Sequence, residues 1–284
     1  MQGYLTLAVG SQFYRDLSIN LALSLKLNDP TRPVCVVLDR EAQLPAGAHR
    51  FIDDVVYLDP KPGYHGCLNK LRMGEVSPYA ETMFIDSDCL LIKQDMDRHW
   101  AKHQSPGFMM GGDKVITGHW YGFDIAQVIA KLKVNYIVRM NSGVFYFRKG
   151  QATTDFFACT QRLVDSHGDL LGVHHRNPLQ LADEPFLGAA QGLLNMEPLD
   201  YDPVEGSIMV TTINASNVHF DVFTQTSDLT IRGDFYLLHR WLPRSKVRHS
   251  PSIAHFVKLK PPMQYRRNVN QLRQHFGLTP FETV

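Results

Sequence analysis

Short apolar runs recur through the first hundred residues, and several stop at an aspartate. Val34 to Leu38 is followed by Asp39, Val55 to Leu58 by Asp59, and Met83 to Ile85 by Asp86. A further run, Tyr4 to Val9, stops at Gly10. Runs of this length between turn signals read as buried strands. Between the first two, Phe13, Leu17, Leu21 and Leu25 recur every fourth residue behind Ser11, a favourable N-cap, and Asn28-Asp29-Pro30 closes the segment. That pattern predicts an amphipathic helix. A second helix is expected from about Cys67 to Val76, ended by Ser77-Pro78-Tyr79. Strand alternating with helix predicts an α/β fold: an open, mostly parallel sheet flanked by helices. Ligands of such sheets sit beyond the carboxyl ends of the strands. Asp39, Asp59 and Asp86 all fall there.

The second half is less regular. Strands are expected at Phe108 to Met110 and at Val144 to Phe147. Helices are expected over Asp124 to Leu132, Thr154 to Val164 and Glu184 to Leu194, with short strands and loops between residues 200 and 250. No repeat, low-complexity tract or linker interrupts the chain, so a single domain over residues 1–284 is the expected division.

Composition removes other classes. The chain has 284 residues, with 29 Lys+Arg and 28 Asp+Glu, a net charge of +1. A general nucleic-acid binder carries a strong basic excess, so no nucleic-acid partner is expected. No run approaches the ~18 apolar residues of a spanning helix. The first residues lack a basic n-region and a long apolar h-region, so no secretory signal is expected. Cys35, Cys67, Cys89 and Cys159 form no CxxC pair and no zinc spacing. Cys35, Cys89 and Cys159 lie among apolar residues and read as core. A thiol-reduced, cytoplasmic protein is the expectation. The charge is nonetheless uneven. From residue 235 to the end there are nine basic residues and one acidic, Glu282.

The strongest chemical signal is Phe84-Ile85-Asp86-Ser87-Asp88-Cys89-Leu90-Leu91. In extended chain, residues i and i+2 face the same way. Asp86 and Asp88 can therefore face one cation, which would relieve their mutual repulsion. Carboxylate oxygens suit Mg²⁺ or Mn²⁺. Spacing alone fits a solvated polar turn equally well. The surroundings add Asn69-Lys70-Leu71-Arg72 upstream. Downstream stand Met140-Asn141-Ser142-Gly143-Val144, Ala182-Asp183-Glu184-Pro185 and Ile253-Ala254-His255-Phe256.

This ordered set resembles the GT-A-fold glycosyltransferases that use a DxD motif and a nucleotide-sugar donor. Among them it is most similar to the retaining enzymes related to glycogenin, galactinol synthase and the lipopolysaccharide galactosyl- and glucosyltransferases. The resemblance implies a Rossmann-like nucleotide-sugar-binding fold, with residues 1–148 as the nucleotide-sugar and metal half and residues 149–284 as the sugar and acceptor half. It implies that Asp86, Asp88 and His255 hold Mn²⁺ or Mg²⁺, with Ser87 between the carboxylates at the donor site. Ala8, Val9, Gly10 and Asp39 would meet the base and ribose, a UDP-sugar being the expected donor. Lys70 would face the diphosphate or the sugar. Asn141, Ser142 and Gly143 would line the sugar pocket, and Asp183 with Glu184 would contact sugar hydroxyls near the reacting carbon. Glu184 replaces the family's usual Gln. After the late His the family carries Gly and then Lys-Pro-Trp; here Lys258 stands for the Gly and Pro262 for the Trp, one residue short. Either Lys258 or Lys260 is then the diphosphate contact.

The implied reaction moves a sugar to an acceptor hydroxyl with retention, through an oxocarbenium-like transition state. The acceptor would be a carbohydrate, a glycolipid or a protein. Two other readings fit the motif. A haloacid-dehalogenase-type phosphatase would use Asp86 as nucleophile, although its motif normally lies near the N-terminus. A non-catalytic sugar-nucleotide-binding module would bind without turnover. Tyr236 to His249, rich in aromatic and basic residues, is a candidate lid or acceptor surface. The basic C-terminal segment, with Arg266, Arg267 and Arg273, is a candidate contact for a phosphate-bearing acceptor or the inner face of an anionic membrane.

Overall fold

The computed structural model describes residues 1–102, 107–171, 181–199, 208–213, 215–231 and 247–282. The expected alternation is present. Strand β1 (Gln2–Leu7) leads into helix α1 (Gln12–Asn28), then β2 (Val34–Asp39), β3 (Asp54–Leu58) and β4 (Glu81–Ile85). β1 pairs in parallel with both β2 and β4, and β2 with β3. The strand Val144–Arg148 then enters antiparallel beside β4 and is flanked in turn by Phe108–Met109. The result is a six-stranded, mostly parallel sheet with four consecutive parallel strands at one side.

β1, β2 and β4 are covered on both faces, which explains their unbroken apolar runs: parallel strands buried on two sides show no polar alternation. The run at Val55 to Leu58 is not a buried strand as expected: β3 lies at the sheet edge and leaves Val55 and Tyr57 exposed. Tyr4, Val34, Val36, Met83, Ile85 and Tyr146 point into one core, together with Leu17, Leu21 and Leu25 of α1. Leu5, Cys35, Val37, Phe84, Phe145 and Phe147 point into the other, against the helix Gln151–Leu171. Phe84 stacks on Phe145 across the β4 pairing, with centroids 4.5 Å apart. Phe13, the first of the four periodic residues, instead lies at the surface.

Three further expectations are adjusted. Ser11 takes the extended N-cap backbone, but its exposed side chain makes no capping bond; the first turn closes through Tyr14 N–H to the Ser11 carbonyl. The helix expected at 67–76 is a 3₁₀ segment, Gly66–Arg72, passing into one α-turn, Met73–Val76. Three residues per turn eclipses positions three apart, which puts Cys67 and Lys70 on one line. The helix expected from Thr154 extends over Gln151–Leu171.

A second, smaller sheet bears on the site. β5 (Cys89–Leu91) pairs antiparallel with Ile253–His255, which pairs in parallel with Met209–Thr211. The register sets His255 opposite Cys89. A residue far along the chain thereby meets the segment that leaves β4 through Asp86. The C-terminal helix Pro262–His275 packs on α1; its Arg273 is buried and donates from Nε to Asn20 Oδ1 at 2.7 Å. No helix among the described residues is long and apolar enough to cross a membrane.

Candidate functional site

The carboxyl ends of β1, β2 and β4 open on a cleft of about 500 Å³. Val9, Gly10 and Asp39 line one end; Lys70, Asp86, Ser87, Asp88 and His255 line the other. Ala8 is fully buried behind Val9. Gly10 has φ +92°, a left-handed conformation that glycine adopts without strain, and its N–H donates to Asp39 Oδ2 at 2.5 Å. Tyr14, from the first turn of α1, and Tyr64 also stand at the cleft wall.

At the other end β4 stops at Ile85, and the chain turns through Asp86, Ser87 and Asp88 into β5. Asp86 N–H donates to the Gly143 carbonyl at 2.8 Å, which ties this turn to the one before Val144. His255 Nε2 lies 3.2 Å from Asp88 Oδ1 and 3.9 Å from Asp86 Oδ2. The other ring nitrogen, Nδ1, lies 3.1 Å from Asn141 Oδ1, which also accepts from Gly143 N–H at 3.0 Å. An amide oxygen that accepts from Nδ1–H directs Nε2 towards the carboxylates, the orientation of a metal-binding histidine. Gly143 is required by proximity: a Cβ there would sit 2.6 Å from His255 Nδ1.

Asp86, Asp88 and His255 thus offer carboxylate oxygens and one imidazole nitrogen, a set that fits Mn²⁺ or Mg²⁺. Cys89 Sγ also lies within 4.8 Å of the Asp88 and His255 ligand atoms. Burial, and then Asp88 and Asp86, push the Cys89 thiol well above its ordinary pKa; its soft sulfur suits Mn²⁺ or Mg²⁺ less than the carboxylate oxygens do. Burial raises the Asp86 carboxyl although Lys70 and His255 oppose it. Asp88 is partly buried, which also works to raise it, but His255 brings it below the usual carboxylate range. His255 is raised: burial works against its charge, and Asp88 and Asp86 outweigh that.

Lys70 is buried. Its Nζ lies 2.8 Å from Asp86, 3.0 Å from Ser142 Oγ and 3.6 Å from Asp183 Oδ2. Burial disfavours the ammonium, but Asp183 and Asp86 hold it protonated. Asp183 precedes the helix Glu184–Leu193 without capping it; its carboxylate turns to Lys70 instead. Glu184 accepts from Ser142 N–H at 3.0 Å and from the Tyr121 hydroxyl at 2.8 Å. Burial, followed by repulsion from Asp183, raises its carboxyl to about 7. Asp183, Glu184, Asn141, Ser142 and Gly143 therefore form a layer behind Lys70 and His255 rather than the cleft wall.

Lys258, in the 3₁₀ turn Val257–Leu259 after His255, and Lys260, which follows that turn, are exposed, and neither is among the residues that line the cleft. Lys258 has φ +56°, so the turn keeps a left-handed residue without the glycine. Tyr121 carried no signal in the sequence. It stands at φ +50° in the tight turn between His119–Trp120 and Phe123–Asp124, and only folding brings it to Glu184. Of the segment Tyr236 to His249, residues 236–246 lie outside the described residues; Arg248 pairs with Asp228.

A mostly parallel sheet with one late antiparallel strand, opening on paired carboxylates and a cleft, has the form of the glycosyltransferase fold. The galactosyltransferase LgtC, solved with donor and acceptor sugar analogs, matches this chain with a TM-score of 0.56 at 13% identity, over 99% of this chain and 98% of its own. An active-site mutant of LgtC matches equally, with a TM-score of 0.56 at 13% identity over the same shares. At such identity the likeness is one of fold. No protein-family model and no curated protein matches the sequence.

Proposed function

We propose that this protein is a metal-dependent glycosyltransferase. It moves a sugar from a nucleoside-diphosphate donor, a UDP-sugar in our reading, to an acceptor hydroxyl with retention of configuration. The observation that carries this is the convergence of Asp86, Asp88 and His255 at one end of a cleft whose other end is built from Gly10 and Asp39. The first group suits a cation with a diphosphate, and the second offers a carboxylate oxygen to base or ribose donors. When bound, the cation supplies positive charge for the diphosphate leaving group. Lys70 adds a permanent positive charge beside it, in a buried setting where charge counts for more than in water. Asp183, Glu184 and the turn 141–143 shape the sugar end and hold Lys70 and His255 in place.

Purified protein with Mn²⁺ is expected to transfer or hydrolyse sugar from a nucleotide-sugar panel, with UDP-sugars preferred. Asp86→Ala and Asp88→Ala should each lower turnover by about a hundredfold or more. Full activity in either variant would sink the proposal, and the anomeric configuration of the product, read by NMR, tests retention. Binding of the donor with no turnover would support the non-catalytic reading.

We also place the site of action in the cytoplasm, against an anionic membrane face, with the exposed Lys258, Lys260 and Met263 as the contact.

A further inference from the structure

Lys70 stands between two acidic groups that it does not serve equally. Its Nζ is 2.8 Å from the Asp86 carboxylate but 3.6 Å from Asp183 Oδ2. Asp183 is 4% exposed, and its Oδ2 makes no hydrogen bond. A buried carboxylate oxygen without a donor carries a desolvation cost that the Lys70 charge at 3.6 Å offsets only in part, because no hydrogen bond is made. The ammonium that would relieve it is a few tenths of an ångström too far and is directed to Asp86 and Ser142. Asp86, for its part, reaches His255 Nε2 only at 3.9 Å, against 3.2 Å for Asp88, and among the described residues the set of three whose ligand atoms all lie within 4.8 Å of one another is Asp88, Cys89 and His255, without Asp86.

We propose that Lys70 has two positions, and that it competes with the divalent cation for Asp86. A cation taken up by Asp86, Asp88 and His255 brings two positive charges to the carboxylate that Lys70 holds. The ammonium must then give way, and Asp183 Oδ2 is the open acceptor within reach. A small movement of Nζ exchanges one charge-assisted hydrogen bond for another. Asp183 thereby sets metal affinity without being a ligand, by offering Lys70 an alternative. Metal uptake is coupled to the sugar end of the site, because the Ser142 hydroxyl and Asp183 both report where Lys70 lies. Lys70 and Asp183 are positioning residues in this respect. The inference rests on the reading of Asp86, Asp88 and His255 as the metal site.

The test is a double-mutant cycle on Mn²⁺ affinity, read by electron paramagnetic resonance of free Mn²⁺ at fixed pH and ionic strength. Lys70→Met removes the competitor and should tighten Mn²⁺ binding by about tenfold or more. Asp183→Asn removes the negative charge of the alternative acceptor and should weaken it by about tenfold. In the Lys70→Met background, Asp183→Asn should have little further effect, because no ammonium is left to redirect. Equal weakening by Asp183→Asn in both backgrounds would show plain electrostatic attraction and overturn the relay while leaving the metal site intact. Absence of Mn²⁺ binding by the wild-type protein would overturn the metal reading itself. Should Lys70→Met not fold, a crystal structure of the wild-type protein soaked in Mn²⁺ decides the matter. Nζ should then lie within hydrogen-bond distance of Asp183 Oδ2, and an Nζ still bonded to Asp86 refutes the exchange.

Discussion

Single atoms decide much of this site. Gly143 leaves room for the His255 ring, since a Cβ there would lie 2.6 Å from Nδ1 and 3.0 Å from Asn141 Oδ1. Gly143→Ala should therefore push the imidazole out of line and weaken Mn²⁺ binding by about tenfold or more, in the range seen when the support of a metal ligand is lost; calorimetric titration checks this. Glu184 carries a pH signature. Its carboxyl is raised to about 7 from an ordinary 4.5. Between those values the folded protein binds a proton that the unfolded chain has released, so the stability tied to that proton is lost as pH rises through about 7. Glu184→Gln keeps partners for Ser142 N–H and the Tyr121 hydroxyl but removes the charge. The variant should gain melting temperature over the wild type at pH 8 and show no gain at pH 5, as read by thermal scans at both pH values. The paired carboxylates and the late His were legible in the sequence. Tyr121 was not, because a lone tyrosine in a turn has no pattern.

At the scale of elements, placement depends on close approach. The helix Glu184–Leu193 carries the acidic pair at its N-terminus and lies directly on the strand Ile137–Arg139. Gly188 and Gly192, one helical turn apart, make this possible: a Cβ at either would sit 2.1 Å from the carbonyl oxygen of Val138 or Tyr136. Gly188→Ala must lift the helix and carry Asp183 and Glu184 with it. We expect a loss of roughly 1–3 kcal/mol in denaturant unfolding, as for an overpacked core, together with weaker donor binding. The sequence predicted the helix from its apolar content but not its contact, because two glycines in a helix read first as a local weakness. The segment before β4 shows the converse. Its apolar content pointed to a helix, and the 3₁₀ winding that aligns Cys67 with Lys70 is a choice made by packing.

Over the whole molecule, near-neutral charge conceals an acidic body and a basic C-terminal segment. Folding spends part of that excess internally. Arg273 is buried beside Asn20, with Asp16 at 3.8 Å; Arg267 pairs with Asp221, and Arg248 with Asp228. Lys258 and Lys260 remain exposed, beside Met263 at 84% exposure. Reversing both lysines to Glu should reduce sedimentation with vesicles of anionic lipid by severalfold while Mn²⁺ affinity stays unchanged, and unaltered vesicle binding would remove the membrane contact from the proposal. The sequence by itself determined the α/β alternation and the aspartates at strand ends, because buried parallel strands need continuous apolar runs and the residues that follow them must meet solvent or ligand. It also marked Asp86, Asp88 and His255. Only the tertiary structure decided that Asn141 faces His255, that Lys70 lies between Asp86 and Asp183, and that Tyr121 reaches Glu184. Those contacts join residues far apart in the chain, and their spacing along it carries no trace of a meeting that packing alone enforces.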